Sequence, residues 1–120
     1  MNGHFVLLVE DDEDLRVTVA EILRDEGLEV AETSNGLEAL AWLRTHRTPE
    51  VILLDLMMPR MDGIQFRTAQ LSDPTLAGVP VVLMTASTIQ QRVLDASGVH
   101  EVLRKPVEAD QLVSKLRRYM

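Results

Sequence analysis

The stretch that decides the fold of this chain is VILLDLMMP, from Val51 to Pro59. Four apolar residues, two of them β-branched, lead directly to a single carboxylate, Asp55, and the turn-forming residues Pro59 and Gly63 follow. A short apolar run between turn signals predicts a strand that is buried on both faces. Asp55 is therefore expected at the C-terminal tip of a central strand, which is where ligands gather in open parallel sheets.

Four further strands and five helices are predicted around this stretch. The runs Phe5–Val9 and Val79–Met84 are equally apolar, whereas Glu29–Thr33 and Val99–Leu103 mix polar and apolar residues. Strands that alternate with helices predict an α/β domain with a parallel sheet and right-handed crossovers. The apolar helix positions are Leu15, Val19, Ile22 and Leu23; Leu37, Leu40, Ala41 and Leu43; Ile64, Ala69 and Leu71; Ile89, Val93 and Ala96; and Ala109, Leu112, Val113 and Leu116.

The composition of the strands also ranks their positions in the sheet. Wholly apolar strands are expected at the centre and strands with charged residues at the edges. The order 2-1-3-4-5 meets this condition, and it defines a doubly wound, flavodoxin-like (βα)5 domain whose switch point lies between strands 1 and 3.

Size and composition limit the class of protein. A chain of 120 residues with 46% hydrophobic and 26% charged residues is typical of one globular domain, to which we assign residues 1–120. The chain has no cysteine, so thiolate chemistry is excluded, and its net charge of −7 argues against direct binding of nucleic acid. No apolar run approaches the roughly 20 residues that span a bilayer. Without a signal-peptide pattern, a cytoplasmic protein with no membrane association is expected.

The predicted strand order brings five polar side chains to one edge of the sheet. Glu10 and Asp11 follow strand 1, Asp55 ends strand 3, Thr85 ends strand 4 and Lys105 follows strand 5. Two carboxylates about 4 Å apart repel by on the order of 4 kcal/mol at an effective dielectric constant near 20. A hard cation, Mg²⁺ by preference, is the natural counter-charge, and Lys105 supplies a second one.

A carboxylate beside Mg²⁺, a hydroxyl and a lysine predicts a phosphoryl-transfer site. Asp55 can act as the nucleophile and form an aspartyl phosphate. Thr85 can donate a hydrogen bond to a phosphoryl oxygen, and Lys105 can form an ion pair with one.

These motifs resemble the receiver domain of two-component response regulators over about Phe5 to Leu116. The resemblance is carried by four motifs in register, each after the expected strand: VEDD from Val9, DLMMPRMDG from Asp55, Thr85-Ala86 and Lys105-Pro106. It implies a phosphorylation-controlled signalling switch that is not an enzyme in the ordinary sense, although it assists its own Mg²⁺-dependent phosphorylation and dephosphorylation.

The resemblance also implies roles for single residues. Asp55 is the phosphoacceptor, Asp11 a direct Mg²⁺ ligand, and Glu10 a ligand through water, while the Met57 carbonyl completes the protein ligands. Asp11 and Asp12 are an alternative acidic pair. The pair Glu10-Asp11 is preferred because Glu10 directly follows the apolar strand.

The implied partners are a histidine kinase or phosphotransfer protein as phosphodonor, and a downstream protein or a fused output domain. The implied output surface is formed by helix 4, strand 5 and helix 5, which can also support a homodimer. A stand-alone regulator and a receiver excised from a larger protein both fit the chain.

Three positions depart from the usual receiver pattern or tune it. Val102 stands three residues before Lys105, where receivers usually carry Tyr or Phe, so the usual aromatic switch is absent. Met57 and Ser87 occupy positions that resemble those tuning acyl-phosphate lifetime. Since the Met57 side chain cannot orient a water, slow self-dephosphorylation is expected, and a half-life of seconds would contradict this.

Three other functions are alternatives to the switch. A haloacid-dehalogenase-like phosphohydrolase needs a second aspartate two residues after the first, where this chain has Met57. A flavin or nucleotide carrier needs a phosphate-binding loop after strand 1, where five consecutive acids stand instead. An interaction module that works without phosphorylation stays open because of Val102. His4, His46 and His100 show no metal-ligand spacing and are expected at the surface, and Trp42 is expected to pack on helix 2.

Overall fold

The computed structural model describes residues 4–58, 60–86 and 91–120. Five strands form one parallel sheet, and five helices alternate with them along the chain. The strands are β1 (Phe5–Val9), β2 (Glu29–Thr33), β3 (Val51–Asp55), β4 (Val81–Thr85) and β5 (Glu101–Arg104). The helices are α1 (Glu13–Asp25), α2 (Gly36–Thr45), α3 (Gly63–Leu71), α4 (Gln91–Ser97) and α5 (Ala109–Arg117).

The order of the strands is β2-β1-β3-β4-β5, which confirms the predicted topology. Every residue of β1, β3 and β4 is buried, whereas the outer strands β2 and β5 are partly exposed. The wholly apolar strands are therefore central, where strands on both sides and helices on both faces exclude solvent.

Alternating side chains of the strands divide the core into two layers. On one face, Leu7 and Leu54 pack with residues of α2, α3 and α4. On the other face, Leu8 and Leu53 pack with residues of α1 and α5. This sandwich fixes the central strands, and so it fixes the side chains at their C-terminal ends.

The helices begin at side-chain caps that the sequence contains. The Asp12 carboxylate accepts a hydrogen bond from the Leu15 backbone N–H (3.2 Å), and Asn35 caps α2 in the same way. At the start of α3, Asp62 and Gln65 form a reciprocal capping box. Gly27, with φ of 84°, follows α1 in the left-handed conformation that was predicted to stop it.

The buried face of α3 differs from the predicted one. Phe66, Arg67 and Gln70 are buried, while Leu71 is 44% exposed and Ile64 only partly buried. The apolar pattern was misleading because two long polar side chains on this helix reach buried carbonyl groups and can therefore lie inside.

Two strands also start later than predicted. β4 begins at Val81, because Pro80 has no N–H to donate and the Val79 N–H bonds to the Leu76 carbonyl (3.1 Å). β5 begins at Glu101, after a turn in which the Val99 N–H bonds to the Ser97 hydroxyl (3.4 Å). The predictions made for Pro59, Ser87 and Ile89 lie outside the described residues.

An aromatic cluster covers the N-terminal edge of the sheet. Trp42 on α2 packs against Phe5, the first residue of β1, with ring centroids 5.5 Å apart, and His46 stacks on Trp42 at 4.3 Å. The Arg47 guanidinium lies 4.4 Å from the centre of the Phe5 ring. Trp42 therefore packs on its helix as expected, at the edge opposite Asp55.

In the part of the chain that the structure describes, every helix is too short or too polar to cross a membrane.

Candidate functional site

Four polar residues lie at the C-terminal ends of four neighbouring strands. Glu10 directly follows β1, Asp55 ends β3, Thr85 ends β4 and Lys105 follows β5. Glu10 and Thr85 are fully buried and Asp55 is 3% exposed, although all three carry polar groups. The strand order thus brings together the residues that the sequence predicted to be neighbours.

Lys105 links two of the carboxylates directly. Its Nζ lies 2.8 Å from Glu10 Oε1 and 3.2 Å from Asp55 Oδ1. Its backbone N–H donates to the Thr85 carbonyl (2.9 Å), so the ends of β4 and β5 are held together, and the Lys105–Pro106 peptide bond is cis. The ammonium group is therefore held over Asp55 by backbone as well as by charge.

Asp11 completes a cluster of three carboxylates. One oxygen each from Glu10, Asp11 and Asp55 lie within 4.8 Å of one another, and the Asp11 side chain is exposed. Asp12, the alternative partner, instead caps α1, and its backbone N–H donates to Glu10 Oε2 (3.2 Å). Three carboxylates face one lysine here, and converging carboxylate oxygens are the ligands that Mg²⁺ prefers. The residues present therefore fit a hard divalent cation.

The loop after β3 begins next to Asp55. The Met57 backbone N–H donates to Asp55 Oδ1 at 3.4 Å, while the Met57 side chain is 60% exposed. The main chain of Met57 thus adjoins the cluster and its thioether projects away from the core. Met58 is 9% exposed and lies in the core, as expected of a filler residue.

The charges of the site perturb one another. Burial raises the pKa of Glu10 to about 7; the hydrogen bond from Lys105 opposes this rise, and the neighbouring Asp55 adds to it. Burial by itself lowers the pKa of Lys105, but the hydrogen bond to Glu10 and the charge of Asp55 outweigh it, so this pKa is raised. Lys105 therefore stays protonated, whereas the positive charge near Glu10 does not fully compensate for the burial of its carboxylate.

The face beside β5 lacks an aromatic ring at the predicted switch position. Val102 is partly buried and borders a groove of about 500 Å³ between α4 and β5, whose walls include Leu94, Val99 and His100. The Tyr119 ring lies edge-on to His100 at 5.6 Å, and its hydroxyl donates to the His100 carbonyl (3.0 Å). His100 is exposed as expected, but its Nδ1 also accepts from the Val81 N–H (3.3 Å).

Sequence reasoning missed a buried arginine. Arg67 on α3 is 4% exposed, and burial lowers the pKa of its guanidinium. Its Nε donates to the Ser97 carbonyl (2.9 Å) and its Nη2 to the Gly98 carbonyl (3.0 Å), where α4 ends. A cation at the C-terminus of a helix is favourable, so Arg67 fastens that end of α4 to α3.

Gln70 extends this network to the segment before β4. It accepts from Arg67 Nη1 (2.9 Å), and its amide nitrogen donates to the carbonyls of Leu76 (3.0 Å) and Val79 (2.9 Å). The available signal was spacing: Gly63, Phe66, Arg67 and Gln70 follow a 3-4-7 pattern, which marks one helix face whatever the polarity of its residues.

Fold and site together define a class, a flavodoxin-like α/β domain with an acidic centre at the switch point of its sheet. The family model described as "Response regulator receiver domain" matches residues 6–117. This chain belongs to the response regulator receiver family.

Individual relatives agree with this family. The DNA-binding response regulator MtrA of Mycolicibacterium paratuberculosis is 36% identical over 114 residues, which are 93% of this chain and 49% of MtrA. The chain thus spans about half the length of this curated relative. The structure of chemotaxis protein CheY4 of Vibrio cholerae has a TM-score of 0.91 and 31% identity, covering 98% of this chain and 99% of that one.

A third relative bears on the acidic cluster. The receiver domain of sensor histidine kinase PA1611 of Pseudomonas aeruginosa PAO1, described with a magnesium ion coordinated in its active-site cleft, has a TM-score of 0.87 and 26% identity, covering 98% of this chain and 97% of that domain. Receiver domains bind Mg²⁺ at their acidic site, work with histidine kinases and output domains, and are signalling switches based on phosphorylation rather than enzymes in the ordinary sense.

Proposed function

We propose that residues 1–120 form a single receiver domain whose switch is the phosphorylation of Asp55, with Thr85 and Lys105 as the groups that bind the phosphoryl oxygens. The observation that carries this proposal is the position of Lys105 Nζ, 2.8 Å from Glu10 and 3.2 Å from Asp55. A carboxylate at a strand tip, with a fixed cation and a buried hydroxyl around it, is suited to accept and hold a phosphoryl group.

Glu10, Asp11, Asp55 and the Met57 carbonyl would hold the Mg²⁺. The convergence of three carboxylates within 4.8 Å supports this ligand set. When bound, the cation neutralises negative charge on the transferring phosphoryl group. Lys105 would supply a second positive charge from the side of β5, and a cation bound beside Glu10 would favour the ionised form of its carboxylate.

The reaction is the transfer of a phosphoryl group from a phosphohistidine. The Asp55 carboxylate attacks phosphorus, a P–O bond forms, the P–N bond breaks, and the donor imidazole leaves with the electron pair and takes up a proton. The donor is a histidine kinase or a phosphotransfer protein. In the reverse direction of the switch, water attacks the aspartyl phosphate, and inorganic phosphate and the Asp55 carboxylate are regenerated.

The face formed by α4, β5 and α5 would carry the output, to a downstream protein or a fused output domain, or through a homodimer. Thr85 ends β4, and its carbonyl accepts a hydrogen bond from the Lys105 N–H. A movement of either side chain towards the phosphoryl group would therefore also displace the end of β5. Moving a switch from 1:99 to 99:1 requires about 5.5 kcal/mol of preference for the active state. A phosphoryl anion held by a divalent cation, a hydroxyl and an ammonium group can supply that preference.

Incubation with acetyl phosphate and Mg²⁺, followed by intact mass measurement, tests this function. A single Mg²⁺-dependent phosphoryl adduct is expected on the wild type and on Asp25→Asn, a control that removes an exposed acid at the end of α1, and none on Asp55→Asn. The adduct should decay slowly after acetyl phosphate is removed, because the exposed Met57 thioether cannot orient a water. An adduct that persists in Asp55→Asn would refute the assignment of the phosphoacceptor.

The second candidate is an interaction module that works without phosphorylation, and Val102 is the observation that favours it. In that case, no adduct should form at any Mg²⁺ concentration, and partner binding should be identical in the wild type and Asp55→Asn. Binding that changes with phosphorylation would exclude this candidate.

A further inference from the structure

The loop between β3 and α3, residues 56–62, is fastened along its described length. The Leu56 N–H donates to the Met84 carbonyl (3.0 Å), and the Gly63 N–H donates to the Leu56 carbonyl (2.8 Å). Met58 enters the core, and Arg60 holds a left-handed conformation with φ of 69°, which is unfavourable for a residue with a side chain. Such a conformation persists only where the surrounding contacts enforce it.

One of these contacts comes from α2. A Cβ atom added to Gly36 would lie 2.9 Å from Cγ and 3.0 Å from Sδ of Met61, and 3.1 Å from its Cβ. The shortest of these distances is below those that real Cβ atoms show, and the other two are tighter than most, so a side chain at residue 36 would require Met61 to move. Met61 is partly buried and packs against the core, which means that it lies between the start of α2 and the body of the protein.

The start of α2 is itself held by a side-chain cap and by burial. Asn35 caps it by accepting from the Glu38 N–H (2.8 Å), and Ala39 and Leu40 are buried in the core one turn later. Because this end of α2 is capped and buried, we expect a clash between residue 36 and Met61 to be relieved by a shift of Met61 rather than of the helix.

We propose that Gly36 and Met61 are positioning residues, whose contact sets the place of the β3–α3 loop at the sheet edge and thereby presents the Met57 backbone carbonyl to the divalent cation. This inference rests on the proposed function, since it concerns the same cation site. Neither residue belongs to the carboxylate cluster, so their effect is exerted only through the loop.

The affinity for Mg²⁺ should be sensitive to the contact between Gly36 and Met61. Mg²⁺ requires near-ideal octahedral geometry and short ligand distances, so it tolerates little displacement of a ligand. Misplacement of a reacting group by 1 Å can lower a reaction rate on the order of a hundredfold, and we expect a ligand affinity to be similarly sensitive. A methyl group on residue 36 would require Met61, and through it the loop, to shift by a few tenths of an ångström.

The test is a double-mutant cycle on Mg²⁺ affinity, measured by calorimetric titration of the intact chain. Gly36→Ala should weaken Mg²⁺ binding by roughly fivefold, although alanine is the better helix former and stability should therefore not fall in parallel. Adding Met61→Ala removes Cγ and Sδ, so in that background Gly36→Ala should change the affinity by less than about twofold.

The matched control is Gly78→Ala. Gly78 is exposed, and a Cβ there would meet nothing within 4 Å, so the same chemical change should leave the Mg²⁺ affinity unaltered. The urea midpoint of each variant without Mg²⁺ gives a second measurement, which separates a displaced loop from a damaged fold.

An unchanged affinity in Gly36→Ala would overturn the proposal, as would an equal loss of affinity in both Met61 backgrounds. If Gly36→Ala does not fold, Met61→Ala alone decides: freed of its contact, the loop should bind Mg²⁺ several-fold more weakly, and wild-type affinity would overturn the proposal. If the wild type itself neither binds Mg²⁺ nor forms the adduct, the proposed function fails first and this inference falls with it.

Discussion

Glu10 is the residue whose chemistry is most altered by the fold. It is fully buried, it accepts from the Lys105 ammonium group, and it shares that cation with Asp55. Burial is the largest cause of its raised pKa, which is about 7 in the folded protein against 4.5 for an ordinary glutamate. Without a divalent cation, the folded state therefore holds a proton here that the unfolded chain releases.

This difference predicts a pH dependence of stability. Because the folded pKa is the higher one, the stabilising effect is complete below about 4.5 and is lost as the pH rises through about 7. In EDTA, the unfolding free energy of the wild type should therefore rise relative to that of Glu10→Gln, by on the order of 2 kcal/mol, on going from about pH 8 to about pH 5. Urea unfolding at both pH values measures it, and two parallel pH profiles would contradict it.

At the scale of elements, the buried polar network of α3 determines how α4 is attached. The C-terminal turn of α4 is bound to Arg67 through the Ser97 and Gly98 carbonyls. In the sequence, Thr85 precedes the other end of α4, which begins at Gln91. Any rearrangement that starts at Thr85 therefore meets a helix whose far end is already fixed.

Removing this arginine should weaken the fold. Arg67→Met leaves the two carbonyls and the Gln70 amide oxygen without their donor, and we expect a loss of about 2 kcal/mol or more of unfolding free energy. Arg67→Lys should recover part of it, since one ammonium group cannot reach all three acceptors. Arg44→Met, which shortens an exposed arginine of α2, should cost no more than roughly 0.5 kcal/mol.

Hydrogen exchange at the turn between α4 and β5 gives an independent measurement of the same prediction. Amides of this turn should exchange faster in Arg67→Met under conditions where β1 stays protected. If Arg67→Met and Arg44→Met have equal unfolding free energies, the network contributes no more to stability than an exposed side chain does.

The sequence was sufficient to predict the strand order of the sheet but not the buried face of α3. Phe5–Val9 and Val51–Asp55 are so apolar that only a central place suits them, and the order of all five strands follows. Glu10, Asp55, Thr85 and Lys105 could be placed because each adjoins a strand end. The spacing of Phe66, Arg67 and Gln70 could have marked a buried helix face, but the partners of Arg67 could not be predicted, because the carbonyls that accept from it belong to residues some thirty positions away.

For the whole molecule, charge is the dominant feature. The chain carries a net charge of −7, and three of its carboxylates are gathered at one edge of the sheet around a single lysine. Self-repulsion of this kind lowers the stability of the compact state, and a bound cation relieves it.

Mg²⁺ should accordingly stabilise the folded protein by mass action. Free Mg²⁺ at about 100 times its dissociation constant raises the unfolding free energy by about 2.7 kcal/mol. Urea unfolding with MgCl₂, compared with KCl at equal ionic strength, measures the gain. Asp11→Asn should lose most of it and Asp14→Asn, another exposed acid nearby, should keep it; an equal gain in both variants would mean a general salt effect.

The aromatic cluster at the N-terminal edge has a practical consequence. Trp42 is the only tryptophan in the sequence, and it packs on Phe5, five residues before Glu10. Five strand residues span about 16 Å. The intrinsic fluorescence of this protein should therefore report cleanly on unfolding, with or without Mg²⁺, and stay silent when Asp55 is modified. An optical assay of switching needs an indole near the switch, and Val102→Trp in a Trp42→Phe background would put one beside the groove between α4 and β5.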